Sequence, residues 1–160
     1  MFISDLTTER LVLRLWPAEE AAAVVAGERR PHWAADFPAD GERVIAGILA
    51  GRPGQPHGHR LMIEGETGLT VGGIGLKWPP TDGAVEFGYG IVPSRRCQGY
   101  TTEAVRALVA HARTLPGVTL VYATVDPANV PSVRVLEKAG LRRDGSVDSD
   151  EGLLHRYVAE

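Results

Sequence analysis

The chain has a single cysteine, Cys97, in 160 residues. That excludes an intrachain disulfide, so packing must hold the fold, and it suits a reducing compartment. Charge of either sign is not in excess: 17 Lys and Arg stand against 20 Asp and Glu, a net charge of −3. This balance gives no electrostatic basis for nucleic acid or an anionic membrane as the main partner. No stretch approaches the roughly 20 apolar residues needed to span a bilayer. The opening MFISDLTTERL also lacks the basic start and apolar run of a secretory signal. These absences predict a soluble, cytoplasmic chain. What is present, 44% hydrophobic and 23% charged residues, is ordinary globular composition. The length fits one domain with a substantial core, so residues 1–160 are read as a single domain.

Leu11, Leu13 and Leu15 alternate with Val12, Arg14 and Trp16, the period of a strand. PAEEAAAVVAGE follows as a helix with proline and acids in its first turn. Asp40 is placed to cap a second helix running through Leu49, and residues 51–58 form a breaker-rich loop. HRLMIEG and LTVGGIGLKW read as a hairpin turning at Glu66–Gly68, and PPTDG (79–83) as another turn. AVEFGYGIV (84–92) is the next strand, with Val85, Phe87, Tyr89 and Ile91 on one face. Its glycines 88 and 90 mark a bulge or the close approach of a ligand.

A helix over EAVRALVAHAR, a central strand VTLVYATV (118–125) and a helix PSVRVLEKAG follow, the last stopped by Gly140. LRRDGSV and GLLHRYVAE close the sheet as an antiparallel pair. The order β-α-α-β-β-β-α-β-α-β-β predicts a mixed α/β (α+β) fold: a largely antiparallel sheet of about seven strands covered by four helices.

RRCQGYTTEA (95–104) lies between the 84–92 strand and a helix N-terminus. The first N–H groups of a helix lack partners, the macrodipole adds positive potential, and Arg95 and Arg96 add charge. This suits a phosphate or pyrophosphate; a solvated turn capped by Thr101 is the plainer reading. A nucleotide P-loop is disfavoured, because G-K-[ST] is missing. Glu86 is a mid-strand carboxylate, either paired on a half-exposed face or facing a cleft as a general base. Asn129 and Ser132 form N-x-x-S at the last helix's entrance, where Asn129 is a good N-cap and Ser132 is unremarkable at N3. His57 and His59 flank a glycine-rich loop without a metal-ligating partner at suitable spacing, and read as loop surface. Trp33 and Phe37 read as acceptor contacts or core, and Cys97 as a loop residue.

RCQGYT (96–101) resembles the R/Q-x-x-G-x-G/A pyrophosphate loop of the GNAT superfamily of acyl-CoA N-acyltransferases. EFGYGIVPSRRCQGYTTEAVRALVAHA and NVPSVRVLEKAGLRRDG are similar to the branch containing the ribosomal-protein N-terminal acetyltransferases, as is TERLVLRLW near the start. The resemblance implies a GNAT-like fold with strands splayed at the cofactor site. It implies acetyl-CoA as acyl donor, no metal, and transfer to a primary amine on a protein N-terminus or small molecule. A homodimer is compatible with it.

Carried onto this sequence, Arg96, Gln98, Gly99, Tyr100, Thr101 and Thr102 would cradle the pyrophosphate. Backbone N–H groups of Ile91 and Val92 would face the pantetheine and thioester, one stabilising the oxyanion. Asn129 would contact the pantetheine and Ser132 assist the leaving thiolate, since the loop and helix 129–140 contain no tyrosine. Glu86 would be the base. Thr101 departs from the pattern by standing where the family has Gly or Ala, which puts extra bulk beside the phosphates. A non-catalytic acyl-CoA-binding or sensor module is the alternative; it would keep the loop and make Glu86 and Ser132 incidental.

Overall fold

The computed structural model describes residues 5–51, 58–150 and 152–159. The elements are β1 (Leu6–Thr7), β2 (Leu11–Leu15), α1 (Ala18–Val25), α2 (Asp40–Gly51), β3 (His59–Glu64), β4 (Thr70–Thr81), β5 (Ala84–Ile91), α3 (Tyr100–Ala112), β6 (Leu120–Val125), α4 (Val130–Lys138), β7 (Arg142–Ser149) and β8 (Gly152–Ala159). All the strands join one sheet in the order β1-β2-β3-β4-β5-β6-β8-β7. Neighbours are antiparallel except β5 and β6. The expected mixed, largely antiparallel sheet with four helices is what forms. The strand count is eight rather than about seven, because the two residues of β1 pair with Val12 and Leu13. Two residues are too short for an alternation pattern to reveal.

The β4–β5 turn is also tighter than PPTDG suggested. β4 runs through both prolines to Thr81, and Asp82 and Gly83 alone reverse the chain with φ of 50° and 82°. Positive φ at both central positions is the hairpin geometry that Asp-Gly favours. At the end of α4, Gly140 takes φ 94°, its N–H bonds Glu137 O, and the Leu141 N–H bonds Leu136 O. This is the predicted glycine stop, in Schellman form.

Strand alternation divides the sheet into two faces. Glu86, Gly88 and Gly90 of β5 lie on the face met by α2, where Glu42 stands against Gly90. Phe87 and Tyr89 lie on the opposite face, where the Tyr89 hydroxyl meets α4. An Arg106–Lys138 O hydrogen bond ties α3 to α4. Leu11, Leu13, Ile74, Val85, Phe87, Leu108 and Leu136 are all at most 2% exposed, so the core is continuous between sheet and helices. Trp33 and Phe37 belong to that core, with ring centroids 5.3 Å apart; of the two readings, packing is the one observed. Among the described residues, no helix is long and apolar enough to cross a membrane.

Candidate active site

β5 and β6 pair only from Ala84↔Leu120 to Glu86↔Tyr122. Beyond that point β5 follows β4 to Ile91 and β6 follows β8 to Val125, so a gap opens between them. The expected splay is therefore present, but its cause differs from the bulge read from Gly88 and Gly90. Pairing of β4 with β5 is continuous from Gly72↔Ile91 to Lys77↔Glu86, and the irregularity lies between Lys77 and Thr81. Each strand keeps its antiparallel partner, and the single parallel contact is what lapses.

Register decides which backbone groups face the gap. The Val92 N–H donates to Val71 O at 2.9 Å, so the donor expected free at Val92 is used inside the sheet. Alternation then turns the N–H groups of Tyr89 and Ile91 away from β4 toward the gap. The expectation fits Ile91 and extends to Tyr89.

The 96–101 loop ends the same strand. Cys97 and Gly99 take φ of 62° and 81°, and Gly99 is the N-cap of α3 without a side-chain cap. Among the described residues, no acceptor engages the backbone N–H groups of Cys97 to Thr102. Left-handed residues beside an uncapped helix start make a concave set of donors that suits an anion. Arg96, Gln98 and Gly99 are exposed here, whereas Tyr100, Thr101 and Thr102 are buried. Thr101 is 8% exposed, so its side chain packs inward. Arg95 is not an anion ligand in this arrangement, since its Nε lies 2.8 Å from Glu64 Oε2.

Glu64 organises the loop from β3. It accepts from Arg95, from the Tyr100 hydroxyl at 2.8 Å and from Thr67. The Arg95 hydrogen bond, helped by the two hydroxyls, holds its carboxyl down to about 2 against the opposing effect of burial. Asp36 grips the Ser94 N–H and hydroxyl, and Arg10 spans from Glu103 to Gln98 O while covering the Tyr100 ring at 4.5 Å. Beside Gly99, a cavity of about 760 Å³ is lined by Arg10, Thr102, Glu103, Arg106 and Lys138.

Asn129 caps α4, its Oδ1 accepting from the Ser132 N–H at 3.3 Å. Ser132 Oγ lies 2.6 Å from the Tyr89 hydroxyl, which also donates to Ser132 O at 3.2 Å. Burial pushes the Tyr89 phenol up from its ordinary value, with the Ser132 contact opposing. Proximity in sequence to Ser132 does not reveal the Tyr89 hydroxyl, which comes from a different element. Its position on the Phe87 face, alternating toward α4, was the available signal.

Glu86 sits where the β5–β6 ladder ends. Its Oε2 accepts from the Thr124 hydroxyl at 2.7 Å and lies 3.3 Å from Lys77 Nζ, with a fifth of the side chain exposed. The paired carboxylate is what the structure shows, standing at the point where the ladder ends. His59 was read as loop surface. It belongs instead to β3, facing Gly75, and burial followed by the nearby Lys77 charge lowers its pKa to about 4. His57 lies outside the described residues.

The family model for the acetyltransferase (GNAT) domain matches residues 10–142. The chain belongs to the GNAT family. Curated relatives include the uncharacterized N-acetyltransferase YnaD of Bacillus subtilis, 35% identical over 60 residues, 38% of this chain and 35% of that protein. Another is the uncharacterized N-acetyltransferase p20 of Bacillus licheniformis, 26% identical over 66% of this chain and 59% of that protein. The chain thus spans only about a third and three fifths of the lengths of these two relatives. Among solved structures, an acetyltransferase from Agrobacterium tumefaciens is 26% identical, with TM-score 0.67 over 98% of this chain and 95% of its own. A structure described as a "putative ribosomal-protein-serine acetyltransferase from Vibrio cholerae" gives TM-score 0.72 at 21% identity, over 98% and 97% of the two chains. AAC(6')-Ib in complex with ribostamycin and coenzyme A gives 0.65 at 24%, over 94% and 93%.

Proposed function

We propose that this chain is an acetyl-CoA-dependent N-acetyltransferase acting on a primary amine. One observation carries the reading. The gap that opens past Glu86↔Tyr122 runs along the free edge of β5 toward the unpartnered N–H groups of 97–102. A long ligand with an anionic middle and a slender arm fits that line: phosphates on the loop, arm in the gap. Acetyl-CoA, when bound, supplies the thioester acyl group.

In this reading Gln98, Gly99, Tyr100, Thr101 and Thr102 hold the pyrophosphate through backbone donors, with Arg96 adding charge. The Ile91 and Tyr89 N–H groups bind the arm and acyl carbonyl, and Val92 contributes position only. The Asn129 side-chain amide contacts the arm while its oxygen caps α4. Glu86 takes the proton of the incoming amine, directly or through a water. Ser132 donates a hydrogen bond or proton to the departing sulfur, and Tyr89, kept protonated by burial, restores that proton.

The chain works without metal in this scheme and acts in the cytoplasm. The acceptor in this reading is a protein N-terminus or a small-molecule amine; one structural neighbour is named for a ribosomal-protein serine, and another is in complex with ribostamycin. The decisive assay measures free thiol from acetyl-CoA with a panel of peptides and small amines, beside direct acetyl-CoA binding. Binding with no thiol release for any amine would favour the sensor module.

A further inference from the structure

On the α2 face, the sheet beneath the site has no side chains where four glycines meet. Gly73 pairs with Gly90 and Gly75 with Gly88 across β4 and β5. Three buried polar atoms without a hydrogen-bond partner stand around this floor: Glu42 Oε1, Trp16 Nε1 and His59 Nδ1. A methyl at Gly90 would stand 3.4 Å from Glu42 Oε2, and one at Gly73 would stand 3.6 Å from Trp16 Nε1. The His59 ring lies directly on Gly75. Of the four, Gly88 alone meets nothing within 4 Å. Glu86, two residues before it on the same face, is the proposed base.

Buried polar groups are nearly always paired, and a carboxylate most of all. Glu42 is 2% exposed, and burial raises its pKa. Among the described residues these three groups have no partner, and they stand around the floor's one open glycine position, Gly88, where a ligand would meet them. We propose that they form the acceptor subsite, in which Glu42 receives the ammonium of a slender, unbranched primary amine lying over Gly88 and Gly90. The choice of a cation follows from the donor set. Glu42 is the single carboxyl group of the three, and an ammonium beside it would favour its ionised form; His59, with its pKa near 4, is neutral at pH 7 and adds no repulsion. The choice of an unbranched chain follows from the floor, which is bare only as a strip two strands wide. This rests on the acetyltransferase reading for its biological meaning, but binding tests it independently.

The test is calorimetry of butylamine, 1,4-diaminobutane and tert-butylamine on the full chain, with and without coenzyme A, beside the thiol-release assay. Butylamine and 1,4-diaminobutane should bind, and tert-butylamine should bind at least about tenfold more weakly. Glu42→Gln keeps the shape and removes the charge, and should weaken the two linear amines roughly tenfold or more. Gly88→Ala adds a methyl where the protein has open space, so it should leave the melting temperature nearly unchanged yet weaken the same amines at least about fivefold. Wild-type amine affinity in both variants overturns the subsite, leaving its polar groups to structural water. Absence of linear-amine binding to the wild type also overturns it, even where peptide-dependent thiol release upholds acetyl transfer. Amine binding that follows the predicted pattern, without thiol release from any acceptor, supports the subsite and removes the transferase reading instead.

Discussion

Tyr89 on β5 and Ser132 on α4 bring their hydroxyl oxygens to 2.6 Å across the open side of the sheet. The residues are 43 positions apart, and the contact exists because alternation turns Tyr89 to the α4 face while Asn129 fixes the first turn of α4. If the pair passes a proton to the departing sulfur, Ser132→Ala should lower kcat by about a hundredfold while acetyl-CoA affinity changes less than about threefold. Tyr89→Phe should have a smaller effect. The double variant should be no slower than Ser132→Ala, because the two act in series. Single-turnover rates with direct binding measurements separate these outcomes; loss confined to binding would make Ser132 a cofactor contact.

Gly99 tests the phosphate cradle. Its φ of 81° disfavours any side chain, and an added methyl would lie 3.2 Å from Arg10 Nη2. Gly99→Ala should therefore cost about 1–2 kcal/mol of stability while retaining acetyl-CoA binding. Gly99→Glu adds the same strain plus a negative charge against the phosphates, and should weaken binding at least about a hundredfold. Titration calorimetry with acetyl-CoA checks both variants, and unchanged affinity in Gly99→Glu would falsify the loop assignment.

Glu86 is held by Thr124 and Lys77 at the end of the β5–β6 ladder. Glu86→Gln should reduce kcat by roughly a hundredfold and leave acetyl-CoA affinity intact. Lys77→Met removes the ion pair but not the carboxylate, so its effect on kcat should be much smaller. A wild-type rate in Glu86→Gln removes that residue as the base.

Glu64 predicts how the loop responds to acid. Its folded pKa is depressed to about 2 from an ordinary 4.5, so the ionised form is the one the fold stabilises. The contribution is fully present above about pH 4.5 and is lost as pH falls toward 2. Arg95→Ala strips the chief partner from a buried carboxylate and should cost about 3 kcal/mol at pH 7. That deficit should shrink steadily between about pH 4.5 and 2. Denaturant melts of both proteins across that range measure it; a deficit independent of pH would mean that the ion pair contributes little.

The sequence was most informative where local pattern and chemistry coincide. The Asn129 cap of α4 and the Gly140 stop are local devices, set by φ preferences and unpaired helix ends within a few residues, whereas α3 starts from Gly99 and places Thr101, the plainer candidate cap, inside the helix. Element order followed from the change between strand and helix periods. Two errors were also local in kind. For Gly88 and Gly90, read as a bulge or the close approach of a ligand, continuous pairing with β4 rules out the bulge, and a lone strand does not show its register. His59 was assigned to a loop surface because its neighbours in sequence are glycine-rich, whereas its neighbours in space are Gly75 and Lys77.

The sequence by itself therefore determined the family, the order of elements and both ends of α4, since short-range geometry and spacing specify these. Only the tertiary structure decided that Val92 is spent inside the sheet, that Tyr89 partners Ser132, and that Arg95 is bound to Glu64 rather than free for an anion. It alone gathered Trp16, Glu42 and His59 around one glycine floor. These relationships depend on register and on which face each strand turns toward which helix. Pairing across the sheet fixes them, and that information is spread over the whole chain rather than held in any single motif.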